Sequence, residues 1–595
     1  MKRLFISLFV LFNFTFFFST SNAGNLSLVY ISPQPDSKDC NLNETIIFSV
    51  FEEINPSSIN NNLVIVTGNL SGPHPGTLFI AGDKKTLIFK PDTPFSYSET
   101  ISVEIGTGIS TVNGNDIFPH TFSFSTRNQR TVTDFLNLDP NETRIPYQNV
   151  DFKLFSPPLD NPESEPTAFV TDNTNPSHGR IFISGFRNDI AYTPYLTIYD
   201  NNGTLLFSRA TNGPSVDFKK QHNGTFSYFS FVTNKFYVLD SDLALIDSVT
   251  PGNGYPTDLH ELLITKEGSM FIMSYDTLQI DMSQIVTGGD TSALVAGLVV
   301  QELDKNKNVV FQWRSWEEME ITDARYEDFT AERIDYAHGN SIEPDYDGNL
   351  IISSRHLDEI TKVNRKTGKI MWRLGGKKNE FTFINDDRGF SHQHDVRRVA
   401  PGRITLFDNG NYNNPPYSRA VEYELDEVNK TATLVWQFDH NKEVNGFAMG
   451  NVQRLSNGNT FIGWGYTQPN VTEVTPLGKI VYEMSLDPGF VSYRSFKQTF
   501  NQPDSPYPDD YVLNQNYPNP FNPSTVITFN IPRQTKVSLK VYDILGRVVS
   551  VLINSDLSAG EHYAQFNGSN LTSGVYFYNL VTDTYSETKK MILLK

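Results

Sequence analysis

The chain has 595 residues, a formal charge of −19 and a single cysteine. The length leaves room for several hydrophobic cores, about four domains of ordinary size. The acidic balance argues against nucleic acid or an anionic membrane as partner. A lone cysteine, Cys40, excludes an internal disulfide framework, so folding must rest on buried apolar cores.

Residues 1–23, MKRLFISLFVLFNFTFFFSTSNA, combine a basic start at Lys2 and Arg3, a Phe-rich apolar run and a small-residue end at Ser21 and Ala23. This pattern predicts a secretory signal peptide cut after Ala23. No later segment approaches 18 consecutive apolar residues, so no membrane span is expected. Residues 24–127 read as short strands, TIIFSV, NLVIVTG, TLIFKP, ISVEIG and HTFSFST, separated by Pro, Gly, Asn and Asp turns. The spacing predicts a β-sandwich, and the segment resembles the immunoglobulin-like modules of secreted bacterial proteins, a spacer without chemistry. Residues 128–165, rich in Pro and Asp (SPPLDNPESEPT), are expected to form a linker.

Residues 166–507 carry a repeat. Six hairpins turn at a glycine: HGRIFISGF at Gly179, NGTFSYFSF at Gly224, EGSMFIMSY at Gly268, DGNLIISSR at Gly348, PGRITLFDN at Gly402 and NGNTFIGWG at Gly458. A second pair of strands follows each, as in LTIYDNNGTLLF and VVQELDKNKNVVFQW. Six copies of a four-stranded unit predict a six-bladed β-propeller, with a long array of β-sandwiches as the alternative. Residues 508–595 open on YPNPFNPST, continue through the strands VITFNI, VSLKVYDIL, HYAQFNG and GVYFYNLV, and end on KKMILLK. They predict a small C-terminal β-sandwich. The fold class expected is therefore all-β, a six-bladed propeller flanked by two sandwiches.

Three of the chain's 11 histidines stand at related places in this repeat: His260 eight residues before Gly268, His338 ten before Gly348 and His394 eight before Gly402. Matching positions of successive blades form a ring around a propeller channel, so the three imidazoles are expected to converge. Arg355, on a returning strand, comes back toward the same end, where its counterparts are Tyr275 and Asn409. One fixed cation beside three imidazoles is an anion-binding constellation. Satisfied channel histidines, a three-histidine zinc site joined by Asp395 or Glu261, and an anion-transfer site with a nucleophilic imidazole all fit the pattern. Arg355 argues mildly against a dication.

At DLHELLITKEG, DYAHGNSIEPDYDGNLIISSRH, the QHD with its LFDNGN, and GNVQRLSNGNTFIGWG, the chain resembles the arylsulfotransferases that work without a nucleotide sulfate donor. In that family a channel histidine is transiently sulfated. The resemblance implies His394 as nucleophile, with His260, His338 and Arg355 on the sulfuryl oxygens and no cofactor. It implies a phenolic sulfate donor and a phenolic acceptor, exchanged by double displacement. Asn340 and Asn409, with Asp408, are expected beside the substrate, and Tyr336 and Tyr412 are expected to stack on aryl rings at the channel mouth. His392 is expected to point to the opposite face of the strand from His394. Family members often carry structural disulfides and a different N-terminal extension, and this chain departs in both respects. Residues 508–595 resemble the sorting module read by the type IX secretion system, which implies that machinery as a partner and a secreted or cell-surface location reached through the periplasm. The competing functions are a non-catalytic surface-binding propeller and a metal-dependent hydrolase.

Overall fold

Alternating apolar residues between glycine turns give strands throughout. Among the described residues there are 44 strands and six short 3-10 turns, with no α-helix. The computed structural model describes residues 25–129, 165–187, 192–499, 511–531, 535–557, 560–583 and 585–595. The expected leader at 1–23 and most of the expected linker at 128–165 lie outside the described residues.

The N-terminal region pairs Tyr30–Ser32, Ile46–Ser49, Thr86–Pro91 and Gly76–Ile80 in one sheet, and His120–Ser125, Thr100–Ile105, Val64–Gly68 and Gly72–Pro73 in another. Phe48, Phe89, Val103 and Phe124 fill the core between them. The C-terminal region likewise has a three-stranded and a four-stranded sheet around Phe529, Leu539, Tyr578 and Met591.

Between these regions lie six antiparallel meanders, propeller-like in their succession. In chain order their first complete strands are Arg180–Phe186, Ser215–Lys220, Leu262–Ile264, Gly339–Pro344, His394–Ala400 and Asn451–Arg454, with Arg180–Phe186 second from the edge of its sheet. The turn glycines Gly224, Gly268, Gly348, Gly402 and Gly458 all have φ between 72° and 90°, a region that a side chain penalises and glycine does not. The ends of the chain segment interlock. Val491–Gln498 pairs with Arg180–Phe186 as the first strand of the first sheet, and Ala168–Asn173 pairs with Ile480–Leu486 at the outer edge of the sixth. This differs from the expected hairpin around Gly179. The strand before that glycine belongs to the last sheet and the inner strand of the first sheet comes from 300 residues downstream. A local turn signal cannot report such long-range pairing.

The first strands of neighbouring sheets meet along a buried ionic network. Arg494 reaches Asp217 at 3.2 Å and Glu261 and Asp395 at 3.3 Å. Lys219 bonds Asp217 at 2.8 Å and also Glu261, while Arg397 bonds Asp395 at 2.6 Å and Glu261 at 2.7 Å. Asp395 Oδ2 accepts from the backbone N–H of Val452, which brings in the sixth sheet. All of these side chains but Arg397 and Lys219 are essentially inaccessible. Three cations around Glu261 hold its carboxyl far below the ordinary carboxylate range despite its burial. Breaking a buried pair strands an uncompensated charge.

The N-terminal sandwich docks on the third sheet through polar groups as well. Tyr30 Oη exchanges hydrogen bonds with the backbone of Gln312 at 2.8 Å, and Glu44 accepts from Tyr255 at 2.7 Å and Asn253 at 3.0 Å. Cys40 is buried beneath this contact, 3.5 Å from Arg314.

Replacing Glu261 by Gln is therefore expected to lower stability by about 3–5 kcal/mol. Lys84→Ala, which removes a 3.8 Å pair between side chains 68% and 47% exposed, should cost about 0–1 kcal/mol. Urea unfolding of the two variants checks the contrast, and equal midpoints would contradict it.

Candidate active site

The histidines are aimed by irregularities in the inner strands. Ladder pairing shifts between Val216 and Lys219, between Gly339 and Ser341, and between His394 and Arg397. These are bulges at one level of three different sheets, and a bulge redirects the side chains around it. Asp217, Asn340 and Asp395 occupy the bulges, and His394 immediately precedes the last. Asp217 and Asp395 have φ near 58°, as do two histidines close by, His338 at 48° and His392 at 56°. Strained backbone of this kind persists only where its surroundings hold it.

A row of rings results. His260 lies 5.0 Å from His338, His338 4.4 Å from His356 in a near-parallel stack, and His356 5.6 Å from His392 (ring centroids). Each ring is gripped at Nδ1. Asp258 holds His260 at 2.7 Å, Asp335 Oδ2 holds His338 at 2.6 Å, the backbone oxygen of Asp335 holds His356 at 2.5 Å and Asp358 holds His392 at 2.9 Å. His394 differs in having an amide for a partner. Its Nδ1 lies 2.7 Å from Asn409 Oδ1, and Asn409 donates its own N–H groups to the backbone oxygens of Gly446 and Met449. Those two bonds orient the amide, so Nδ1 of His394 must be the protonated nitrogen and Nε2 carries the lone pair. Nε2 accepts only a long, 3.3 Å bond from the Met449 N–H. Burial, with Arg355 adding repulsion, pushes the imidazoles of His338, His356 and His394 well below 6.5, and His392 down to about 2.

Arg355 is half-buried, and among the described residues no carboxylate lies within ion-pair distance of it. Nη1 donates to Nε2 of His356 at 2.9 Å and Nη2 to the backbone oxygen of Phe447 at 3.2 Å. Burial lowers its guanidinium to about 10. Glu327, 3.2 Å from His356, is raised to about 7 by burial, and Asp358 to about 6. A cation held by a neutral imidazole and a carbonyl keeps its charge available to an incoming anion.

The geometry brings His260, His338, His394 and Arg355 into one buried cluster and redistributes the other expected residues. Asn340 donates to the Gln393 oxygen at 2.8 Å and accepts from the Asp395 N–H at 3.2 Å, tying two inner strands together. It thus supports the site rather than facing it. Asn409 acts through His394, and Asp408 is bonded to Arg419. Tyr336 is a correction. It is fully buried, bonded to Ser315 at 2.6 Å and packed against Trp316, so it offers no exposed ring face to a substrate. Tyr412 is at the surface, 52% exposed. His392 is a second correction, since residues two apart share a strand face. The strand begins only at His394, moreover, and His392 joins the ring row. Asp395 and Glu261 are committed to arginines and cannot complete a metal site with the three expected histidines. The group whose ligand atoms do lie within 4.8 Å of one another is Asp335, His338 and His356, but its members already bond one another and a guanidinium touches His356.

Asp258, Asp335, His356, Asp358 and Glu327 went unrecognised in the sequence. Two of them had a local signal, a carboxylate two residues before His260 and one three residues before His338. The others are brought in by loops.

Residues 224–487 match the family model of the arylsulfotransferases (ASST). Residues 23–126 match a bacterial Ig-like domain and residues 515–594 a secretion-system C-terminal sorting domain. The matches thus run in the order Ig-like domain, arylsulfotransferase and sorting domain, and the last of them indicates secretion or the cell surface. No curated protein matches the chain. Similar solved structures include a protein of unknown function from Bacteroides caccae, at 12% identity and a TM-score of 0.35, over 54% of this chain and 99% of that one. PorZ, a surface component of the type IX secretion system of Porphyromonas gingivalis, is 12% identical with a TM-score of 0.31, over 93% and 74%. A catalytically inactive virginiamycin B lyase from Staphylococcus aureus is 7% identical with a TM-score of 0.29, over 61% and 96%. Likenesses this distant carry no inference about function.

The tautomer of His394 is open to direct measurement. Nitrogen-15 NMR is expected to show a neutral imidazole at pH 6 with the proton on Nδ1, and Asn409→Leu to release that preference. An imidazolium at pH 6 would contradict the assignment.

Proposed function

We propose that the protein is a secreted aryl sulfotransferase whose six meanders close as a six-bladed propeller. It moves a sulfuryl group from a phenolic sulfate ester to a phenolic acceptor through a sulfohistidine at His394. The observation that carries this reading is the pairing of an unprotonated Nε2 on His394 with an arginine whose donors reach only a neutral imidazole and a backbone oxygen among the described residues. The ASST family match supports the reaction class.

In the first half-reaction the Nε2 lone pair attacks sulfur, an N–S bond forms, and the bond from sulfur to the phenolic oxygen breaks. Arg355 and His260 hold the sulfuryl oxygens, whose negative charge persists throughout. The departing phenolate takes a proton from Nε2 of His338. Burial raises the Asp335 carboxyl and depresses the His338 imidazole, which favours an uncharged pair. The mechanism requires one proton between Oδ2 and Nδ1 and a second on Nε2 before transfer. Giving up the Nε2 proton leaves the Asp335 carboxylate accepting from Nδ1–H. In the second half-reaction the acceptor phenol returns a proton to Nε2 of His338, its oxygen attacks sulfur, and the N–S electrons return to His394. The aryl oxygen accommodates developing charge, so no step calls on a metal.

Phenol release from a chromogenic aryl sulfate, without nucleotide donor or added metal, should be stimulated by a second phenol. It should fall at least a thousandfold in His394→Ala. Absence of release from the folded protein with any phenolic acceptor would overturn the reading and favour a binding propeller.

The pH dependence follows from the buried carboxyls. Glu327 is raised to about 7, so below pH 7 it is protonated and no longer offsets the charge of Arg355, while His394 stays neutral. KM for the sulfate ester is therefore expected to fall between pH 8 and pH 6, and Glu327→Gln to flatten the profile. A rise in KM toward pH 6 would contradict this account.

A further inference from the structure

The ring row does not stop at His392. Tyr412 lies edge-on to it at 4.8 Å, and Tyr326 stacks on Tyr412 at 3.5 Å with 9° between the planes. The guanidinium of Arg325 sits over Tyr326 at 5.2 Å and is anchored 3.4 Å from Asp358. The two tyrosines come from separate loops, one ahead of the strand Arg333–Asp335 and one after Arg403–Asp408. Neither belongs to a hydrophobic core cluster, and they are 38% and 52% exposed. Single exposed aromatics need no explanation. Two of them from different loops, stacked face to face at the solvent end of a buried imidazole row, make a platform. Burial lifts the Tyr326 phenol above its ordinary range.

We infer that the Arg325–Tyr326–Tyr412 stack is an outer aryl subsite that selects sulfate esters of phenols with two or more rings. The inference rests on the reaction proposed above and names its substrate class. With sulfur at His394 and the sulfuryl oxygens on Arg355, the first ring of the ester lies alongside His356 and His392. A single ring ends there. A second fused or linked ring continues toward the exposed surface of Tyr412, where an offset stack adds contact beyond simple burial. The cation at the base of the stack favours electron-rich rings above it, and a ring system that gains phenolate character as sulfur departs is electron-rich. The outer contact thus contributes in the transition state as well as in binding.

The test compares 2-naphthyl sulfate with phenyl sulfate on the full chain. Specificity is read as the ratio of kcat/KM for the two esters, and as the ratio of their dissociation constants from His394→Ala measured by calorimetry. Tyr412→Ala is expected to lower both ratios about three- to tenfold, the range of a lost ring–ring contact, and Tyr412→Phe to preserve them. Tyr326→Ala should act in the same direction through loss of support. Because Tyr412 is at the surface, its replacement leaves the cores intact. Ratios unchanged in Tyr412→Ala, or lowered equally in Tyr412→Phe, would overturn the subsite. Selective binding of the naphthyl ester to a protein without turnover would uphold the subsite and defeat the transfer reaction. Turnover without selectivity would do the reverse.

Discussion

Everything in the central region is organised around charges taken out of water. Arg494, Asp217, Lys219, Glu261, Arg397 and Asp395 join the inner strands of the successive sheets, and their bonds run between strands hundreds of residues apart in sequence. Such a network is poor at adding net stability, because desolvation consumes most of the Coulombic gain. It is good at fixing register, since any other arrangement strands a buried charge. The same residues floor the site. Arg494 donates to the backbone oxygen of Asn340, and the neighbouring Tyr493 hydroxyl donates to the backbone oxygens of His260 and Asn340. The ions thus hold the backbone from which the imidazoles project.

Above that floor the chemistry changes from paired charge to withheld charge. Burial disfavours the charged form of His338, His356, His392 and His394, and the arginine among them, Arg355, is held by neutral acceptors. An anion entering this site meets a cation whose desolvation cost has already been met by the fold. Asn409 in place of a carboxylate at His394 has the same logic. A carboxylate would stabilise an imidazolium and occupy the lone pair with a proton, whereas an amide oxygen fixes the tautomer without doing so. The carboxylates sit instead behind His260 and His338, where a gain or loss of protons is useful.

The sequence made the strands legible because alternation and turn glycines act locally. The match between Thr86–Pro91 and TLIFKP, or between Arg403–Asp408 and RITLFDN, reflects that. His260, His338, His394 and Arg355 could be grouped from the sequence because the repeat puts them at related offsets from their turns. What stayed hidden depends on contacts between distant segments. The strand before Gly179 closes the sixth sheet rather than the first, and Glu327, Tyr326 and Asp358 reach the site on loops whose course no periodicity encodes. Tyr336 was misplaced because it lies two residues from His338, and proximity in sequence says nothing about which side of a bend a side chain takes.

The proposed transfer turns on Nε2 of His394 carrying the sulfuryl group between donor and acceptor. Mass spectrometry of the protein quenched after mixing with an aryl sulfate in the absence of acceptor tests it directly. One added SO3 is expected on the peptide containing His394, localised to the imidazole, stable to acid-free digestion and discharged by a phenol. Phenol release at full rate with that peptide unmodified, or with the SO3 on another residue, would contradict it.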